Sequence, residues 1–218
     1  CKGCFVCFMK GEERCPVKDD RELIAQKIEA ADGVVFCSPV YSMHVSYLFK
    51  HFVDRFACTF HRPCYWGKYA LTVAVAGNVG LKETNKYLKD VAAAWGFEVV
   101  DELGYRMPPQ HTPMRAIATG KDRTEEAVAN LHAAIKDNPP RKLTFKDHFT
   151  FRIMQDSYAR LETMSPTDYQ YWQEKGWLEP ETVYFHDHVR PNWLYDRATR
   201  AMGWMTGRQI DSALAEPA

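Results

Sequence analysis

Along the first hundred residues, short continuous apolar runs alternate with stretches in which apolar positions recur every three or four residues. The runs are residues 33–38, 69–76 and 97–103. They are rich in β-branched and aromatic side chains and bounded by turn residues, which predicts strands of a parallel sheet. Between them, Leu23, Ile24 and Ile28 mark one helix ending near Ala31. Tyr47, Leu48, Phe52, Val53 and Phe56 mark a second, and residues 81–95, stopped by Gly96, form a third. This alternation predicts an α/β fold, a parallel sheet with flanking helices. Residues 33–38 read as an interior strand buried on both faces. The chain is expected to leave the sheet at Pro39, because proline cannot donate to the ladder and holds Ser38 extended.

Past Tyr105 the pattern changes. A proline-rich connection over residues 107–113 leads into helices predicted at 123–136, 144–162, 166–176 and 191–202, the third with Ser165 as its cap and Pro166 at its first position. The organisation expected is therefore a domain over residues 1–106 and a helical extension over 107–218. Aromatic side chains from Phe145 to Trp204 are too many for these helices to bury alone. They are expected to cover the sheet domain or a second copy of the chain, which implies a homo-oligomer.

The 218 residues carry 28 basic and 28 acidic side chains. A balanced charge gives no general attraction to nucleic acid or anionic membrane, and no apolar stretch approaches the roughly 18 residues that span a bilayer. Seven cysteines, an odd number, argue against a disulfide framework and for a reducing, cytoplasmic setting. Four of them, Cys1, Cys4, Cys7 and Cys15, follow the spacing Cys-x2-Cys-x2-Cys-x7-Cys, with Pro16 after the last. Thiols so close cannot readily pair among themselves, but they can converge on a metal. Three readings stay open: a 4Fe-4S cluster, zinc held by four thiolates, and cysteines that bind nothing. Cys37 reads as a small core residue, Cys58 and Cys64 as structural or incidental, Arg62 and Lys68 as solvated loop charges, and His186 with His188 as surface histidines.

In an open α/β sheet, ligands bind beyond the carboxyl ends of the strands. The segment Pro39-Val40-Tyr41-Ser42 falls there, and its backbone amides and the Tyr41 ring suit a flat, hydrogen-bonding cofactor. A proline turn leading to a core helix, with no ligand, is the competing reading. Gly77 and Asn78 end the next strand, where glycine permits close approach of a ligand. No acid or base side chain stands out as catalytic.

Residues 31–36 (Ala-Asp-Gly-Val-Val-Phe), the Ser38-Pro39-Val40-Tyr41 loop, Val45-Ser46, Phe49-Lys50 and Asp54-Arg55 together resemble the flavodoxin-like NAD(P)H-dependent FMN reductases, in particular their iron-sulfur flavoprotein branch. The resemblance runs from Cys1 to about Tyr105. It implies that Ser38, Pro39, Val40, Tyr41 and Ser42 line the isoalloxazine of FMN, with Gly77 and Asn78 as a second contact loop. It also implies that Cys1, Cys4, Cys7 and Cys15 hold a 4Fe-4S cluster, and that NAD(P)H or a ferredoxin-like protein donates electrons to a small-molecule or protein acceptor. A flavodoxin-like domain opens with a strand, a phosphate loop, a helix and a second strand, and these are expected to lie in a natural N-terminal segment that this sequence, starting at Cys1 within the cysteine cluster, does not include. The expected consequences are an unpaired strand edge and weak flavin binding by this chain alone. A cluster-free flavin or quinone reductase, and a non-enzymatic binding module of the same fold, are the alternatives.

Overall fold

The computed structural model describes residues 1–107 and 114–215, with side chains for residues 1–107 and 121–204. Most of the proline-rich connection, residues 108–113, lies outside the described residues. In chain order the elements are α1 (Val6–Met9), α2 (Arg21–Ala30), β1 (Gly33–Tyr41), β2 (His44–Val45), α3 (Tyr47–Arg55), α4 (Cys58–His61), β3 (Tyr69–Ala76), α5 (Leu81–Trp95) and β4 (Glu98–Arg106). They are followed by α6 (Met114–Asp137), β5 (Arg141–Lys142), α7 (Phe145–Tyr158), α8 (Pro166–Glu174), β6 (Val189–Arg190) and α9 (Trp193–Ala215). The chain divides into two compact units: Cys1–Lys2 with Val17–Pro139, and Gly3–Pro16 with Pro140–Ala218.

The first unit is built on a sheet of order β2-β1-β3-β4, in which β1, β3 and β4 are parallel and β2 turns back antiparallel on β1. Alternate residues of β3 face opposite layers, as the two-residue period of a strand requires. Ala70 and Ala74 belong to the core shared with α3 and α5, while Leu71 and Val73 belong to a second cluster with Leu103 of β4 and with Ala127 and Leu131 of the later helix α6. Trp95, fully buried at the end of α5, is ringed by Phe36, Phe52, Phe56, Phe60 and Tyr65 at centroid distances of 5.2–6.4 Å. Aromatic contacts of this kind stabilise beyond the area they bury.

Three expectations change here. β1 does not leave the sheet at Pro39 but runs on to Tyr41, with Pro39 in register opposite Val75. From Gly33 to Pro39, β1 has β3 on one side and no strand on the other among the described residues. Proline is tolerated on such an edge because the amide it lacks would have met no ladder partner. Nor is β1 buried on both faces: Val35 and Cys37 are exposed, so Cys37 is not a core residue. The core face of α3 is Phe49, Phe52, Val53 and Phe56, at i, i+3, i+4 and i+7, and Tyr47 and Leu48, which lie off that stripe, are exposed.

Two loop charges also have structural roles. Lys68 Nζ donates to the carbonyls of Glu29 and Ala31, a cation on the unsatisfied carbonyl end of α2. Arg62, expected in solvent, is buried.

The second unit packs α7 against α9, and α8 against α1 and α7. A short parallel ladder pairs β5 with β6. Helix α7 starts with a reciprocal capping box, Thr144 accepting from the Asp147 amide and Asp147 from that of Thr144. Phe151, Tyr158, Trp172, Trp177, Tyr184 and Phe185 are buried in ring contact with one another. The aromatic tail thus forms a core of its own, while Phe145, Trp193, Tyr195 and Trp204 stay exposed.

Candidate functional site

The carboxyl ends of β1 and β3 build a shelf in the first unit. β1 reaches β2 through Ser42 and Met43, whose φ angles are +49° and +73°, while Tyr41 and His44 face each other across the turn. Two successive positive φ values are the signature of the tight hairpin turn usually filled by Asn-Gly. Neither residue here is glycine, so each stores strain of about 1–3 kcal/mol. Backbone strain collects where a fixed shape is needed, and this turn points its exposed residues Tyr41, Ser42 and Met43 at solvent.

The loop after β3 meets this turn. A Cβ built on Gly80 would lie 2.8 Å from Met43 Cα and 2.8 Å from Val40 Cγ1, and Gly80 has φ +83°. Only glycine permits that approach, and it pins the two loops together. Immediately before it, Gly77, Asn78 and Val79 are exposed, and a Cβ on Gly77 would meet nothing within 4 Å. The shelf therefore offers apolar surface from Tyr41, Met43 and Val79, at 62, 55 and 59% exposure, beside the backbone of Ser42, Gly77 and Asn78. Its apolar surface and hydrogen-bonding edges fit the isoalloxazine of a flavin.

The structure brings together Val40, Tyr41, Ser42, Gly77 and Asn78 among the expected residues. Ser38 is set apart: it is buried, and its hydroxyl accepts the Ser46 amide at 3.0 Å and donates to the Pro39 carbonyl at 2.9 Å. Ser38 therefore shapes the hairpin from beneath. Sequence reasoning passed over Met43, Val79 and Gly80 as ligand-facing or loop-pinning residues. Their signal was weak: a methionine between two polar residues, and a second glycine three positions after the first.

Around the shelf, His44 sets its ring edge against Tyr87 at 4.6 Å, and burial raises the pKa of Tyr87. Behind it, the Arg55 guanidinium holds Asp19 with bonds of 2.6 and 2.8 Å, lowering the Asp19 carboxyl to about 2.

Of the four N-terminal cysteines, Cys1 falls in the first unit, and Cys4, Cys7 and Cys15 in the second. Cys1 and Cys4 are exposed, Cys7 and Cys15 half-buried, and none is in a disulfide. Among the described residues, no group of three or more His, Cys, Asp or Glu side chains is gathered as a metal site. Four thiolates are the donor chemistry that an iron-sulfur cluster takes. Cys58 is buried, with Arg21 Nη2 donating to its sulfur at 3.4 Å, which agrees with a structural thiol. His186 is half-buried and His188 exposed.

A profile of the NADPH-dependent FMN reductase family matches residues 2–112. An iron-sulfur flavoprotein of Archaeoglobus fulgidus is 27% identical over 179 residues, covering 82% of this chain and 79% of that protein. A second, from Clostridioides difficile, is 28% identical over 141 residues, covering 64% of this chain and 61% of the relative. A third, from Methanocaldococcus jannaschii, is 44% identical over 55 residues, 25% of this chain and 28% of the relative. With the profile spanning just over half of its residues, the chain belongs to the NADPH-dependent FMN reductase family, a family of flavin-dependent oxidoreductases.

Proposed function

We propose that the protein binds FMN on the shelf at the ends of β1 and β3 and moves electrons from NADH, NADPH or a ferredoxin-like donor to a small-molecule or protein acceptor. The observation that carries this reading is the strained Ser42–Met43 turn, locked against Gly80 beneath exposed apolar side chains. FMN supplies the redox chemistry when bound, accepting two electrons and releasing them together or singly. The protein's share is orientation. Tyr41, Met43 and Val79 offer an apolar seat, and the amides of Ser42, Gly77 and Asn78 supply donors for the ring edges. Family membership and the iron-sulfur flavoprotein relatives support this reading.

The same relatives favour a 4Fe-4S cluster on Cys1, Cys4, Cys7 and Cys15, assembled as the metal binds. A cluster-free reductase is the second reading: among the described residues no three such side chains are gathered as a metal site.

Titrating the chain with FMN should quench flavin fluorescence weakly but saturably and support FMN-dependent oxidation of NADPH or NADH, and Tyr41→Ala should weaken the binding further. Absence of binding, or binding indifferent to Tyr41→Ala, overturns the site. Anaerobic reconstitution separates the two readings of the cysteines: about four iron and four sulfide per chain, lost in Cys7→Ser, supports the cluster, and unchanged metal-free protein supports its absence.

A further inference from the structure

The second unit contains a buried histidine that the flavin chemistry does not use. His148, on α7, is fully buried. Its Nε2 accepts the backbone amide of Asn192 at 3.2 Å, so in the neutral ring the proton sits on Nδ1. Nδ1 has no hydrogen-bond partner among the described residues and lies 4.0 Å from Asp196 Oδ1. Asn192 is the cap of α9: its Oδ1 accepts the amides of Leu194 and Tyr195 at 3.1 and 3.3 Å, and its carbonyl accepts that of Asp196 at 2.9 Å. One imidazole nitrogen therefore holds the residue that starts a 23-residue helix.

We propose that His148 is an acid-operated latch on the N-terminus of α9: the neutral ring grips the Asn192 amide, and protonation of Nε2 releases the first turn. The proton comes from solvent and takes the lone pair that the Asn192 N–H was using. Two donors then face each other, and the ring's new positive charge sits at the positive end of the α9 dipole, where cations are disfavoured.

The surrounding charges do not cancel this. On α9, Asp196 would attract a charged ring, but its carboxylate already takes Arg152 Nη2 at 2.6 Å and Arg200 Nε at 2.7 Å. On α7 itself, Arg152 opposes a second cation, while Asp147 favours one but is engaged by Arg141 at 2.6 Å. Tyr195 offers a ring edge at 6.4 Å, and Arg190, on the strand leading to Asn192, is exposed. On α8, the buried acid Asp168 accepts from Ser165 Oγ. Burial is the largest influence and, with Arg152, keeps the His148 pKa below its ordinary value against the pull of Asp196 and Asp147. The latch is therefore closed above the ordinary histidine range and opens only as pH falls below it.

The test uses the full chain, isotope-labelled, followed by nuclear magnetic resonance from about pH 7.5 to about pH 5. The His148 ring should show the Nδ1–H tautomer at the upper end. As it titrates, amide exchange at Asn192, Leu194, Tyr195 and Asp196, corrected for its intrinsic pH dependence, should rise several-fold. His148→Gln, which keeps an acceptor but cannot titrate, should abolish that rise. An Nε2–H tautomer at neutral pH overturns the latch, as does titration of the ring without change in those amides, or an undiminished rise in His148→Gln. Should His148→Gln fail to fold, coincidence of ring titration and amide release in the unmodified chain decides.

Discussion

The two units each bury a tryptophan among other rings, Trp95 and Trp172, but differ in the charge they bury beside it. In the first, Trp95 sits among aromatic and aliphatic groups, and the buried Arg55 is paired with the partly exposed Asp19. In the second, Arg152, 1% exposed, and His148 lie beside Asp196 within the α7–α9 packing. An apolar core responds to lost volume and is indifferent to pH. A core with a charge network responds to lost partners and to protons. The first arrangement suits a unit that must hold a strained turn in one shape.

Breaking each core with one substitution gives the largest effects. Trp95→Ala should cost about 3–5 kcal/mol of stability in the first unit, by cavity formation. Arg152→Ala should cost about the same in the second, by removing one of the two arginines that hold Asp196 together with the buried stem, whereas Arg152→Met, which loses the same charge but keeps most of the volume, should cost less by the packing share. Denaturant unfolding, with amide exchange assigning the loss to β3 and α5 or to α7 and α9, checks all three. Equal losses from the two Arg152 variants would show that the lost charge, not packing, is at stake.

Acid should separate the units next. His148 has its pKa lowered, chiefly by burial, so the unfolded chain binds more protons in that range. Stability from this group is full above about pH 6.5 and falls as pH drops towards the lowered value. Asp19, held at about 2 by Arg55 against 3.8 unfolded, contributes above pH 3.8 and loses its contribution only as pH falls through about 2. The second unit should loosen first in an exchange experiment run at decreasing pH. Simultaneous loosening would contradict the assignment.

A smaller effect should come from Gly80→Ala. Its Cβ would press on the Met43 backbone and take up a positive φ, for about 1–3 kcal/mol together with weaker FMN binding. Tyr41→Ala sharpens the contrast: at 62% exposure, it should leave stability within about 0.5 kcal/mol while lowering FMN affinity, measured by fluorescence titration.

Much of this was legible in the chain. Tyr69–Ala76 and Leu81–Trp95 occupy the positions their patterns predict, because a continuous apolar run and a three-to-four-residue period are local consequences of burial. Pro39 misled, because proline stops only a strand with neighbours on both sides, and what flanks β1 is not written in residues 33–41. Ser38 looked like a ligand for the same reason: a serine before a proline reads alike whether its hydroxyl meets a cofactor or the Ser46 amide.

The order of residues alone determined the strand and helix succession, the glycine-bearing ends and the close spacing of the thiols, since each depends on neighbours a few positions apart. Only the folded chain decided that Gly80 lies against Met43, that Gly3–Pro16 belongs with the helices after Pro140, and that His148 reaches Asn192, 44 positions away. Contacts between distant segments are selected by packing and charge together, and no local period records them.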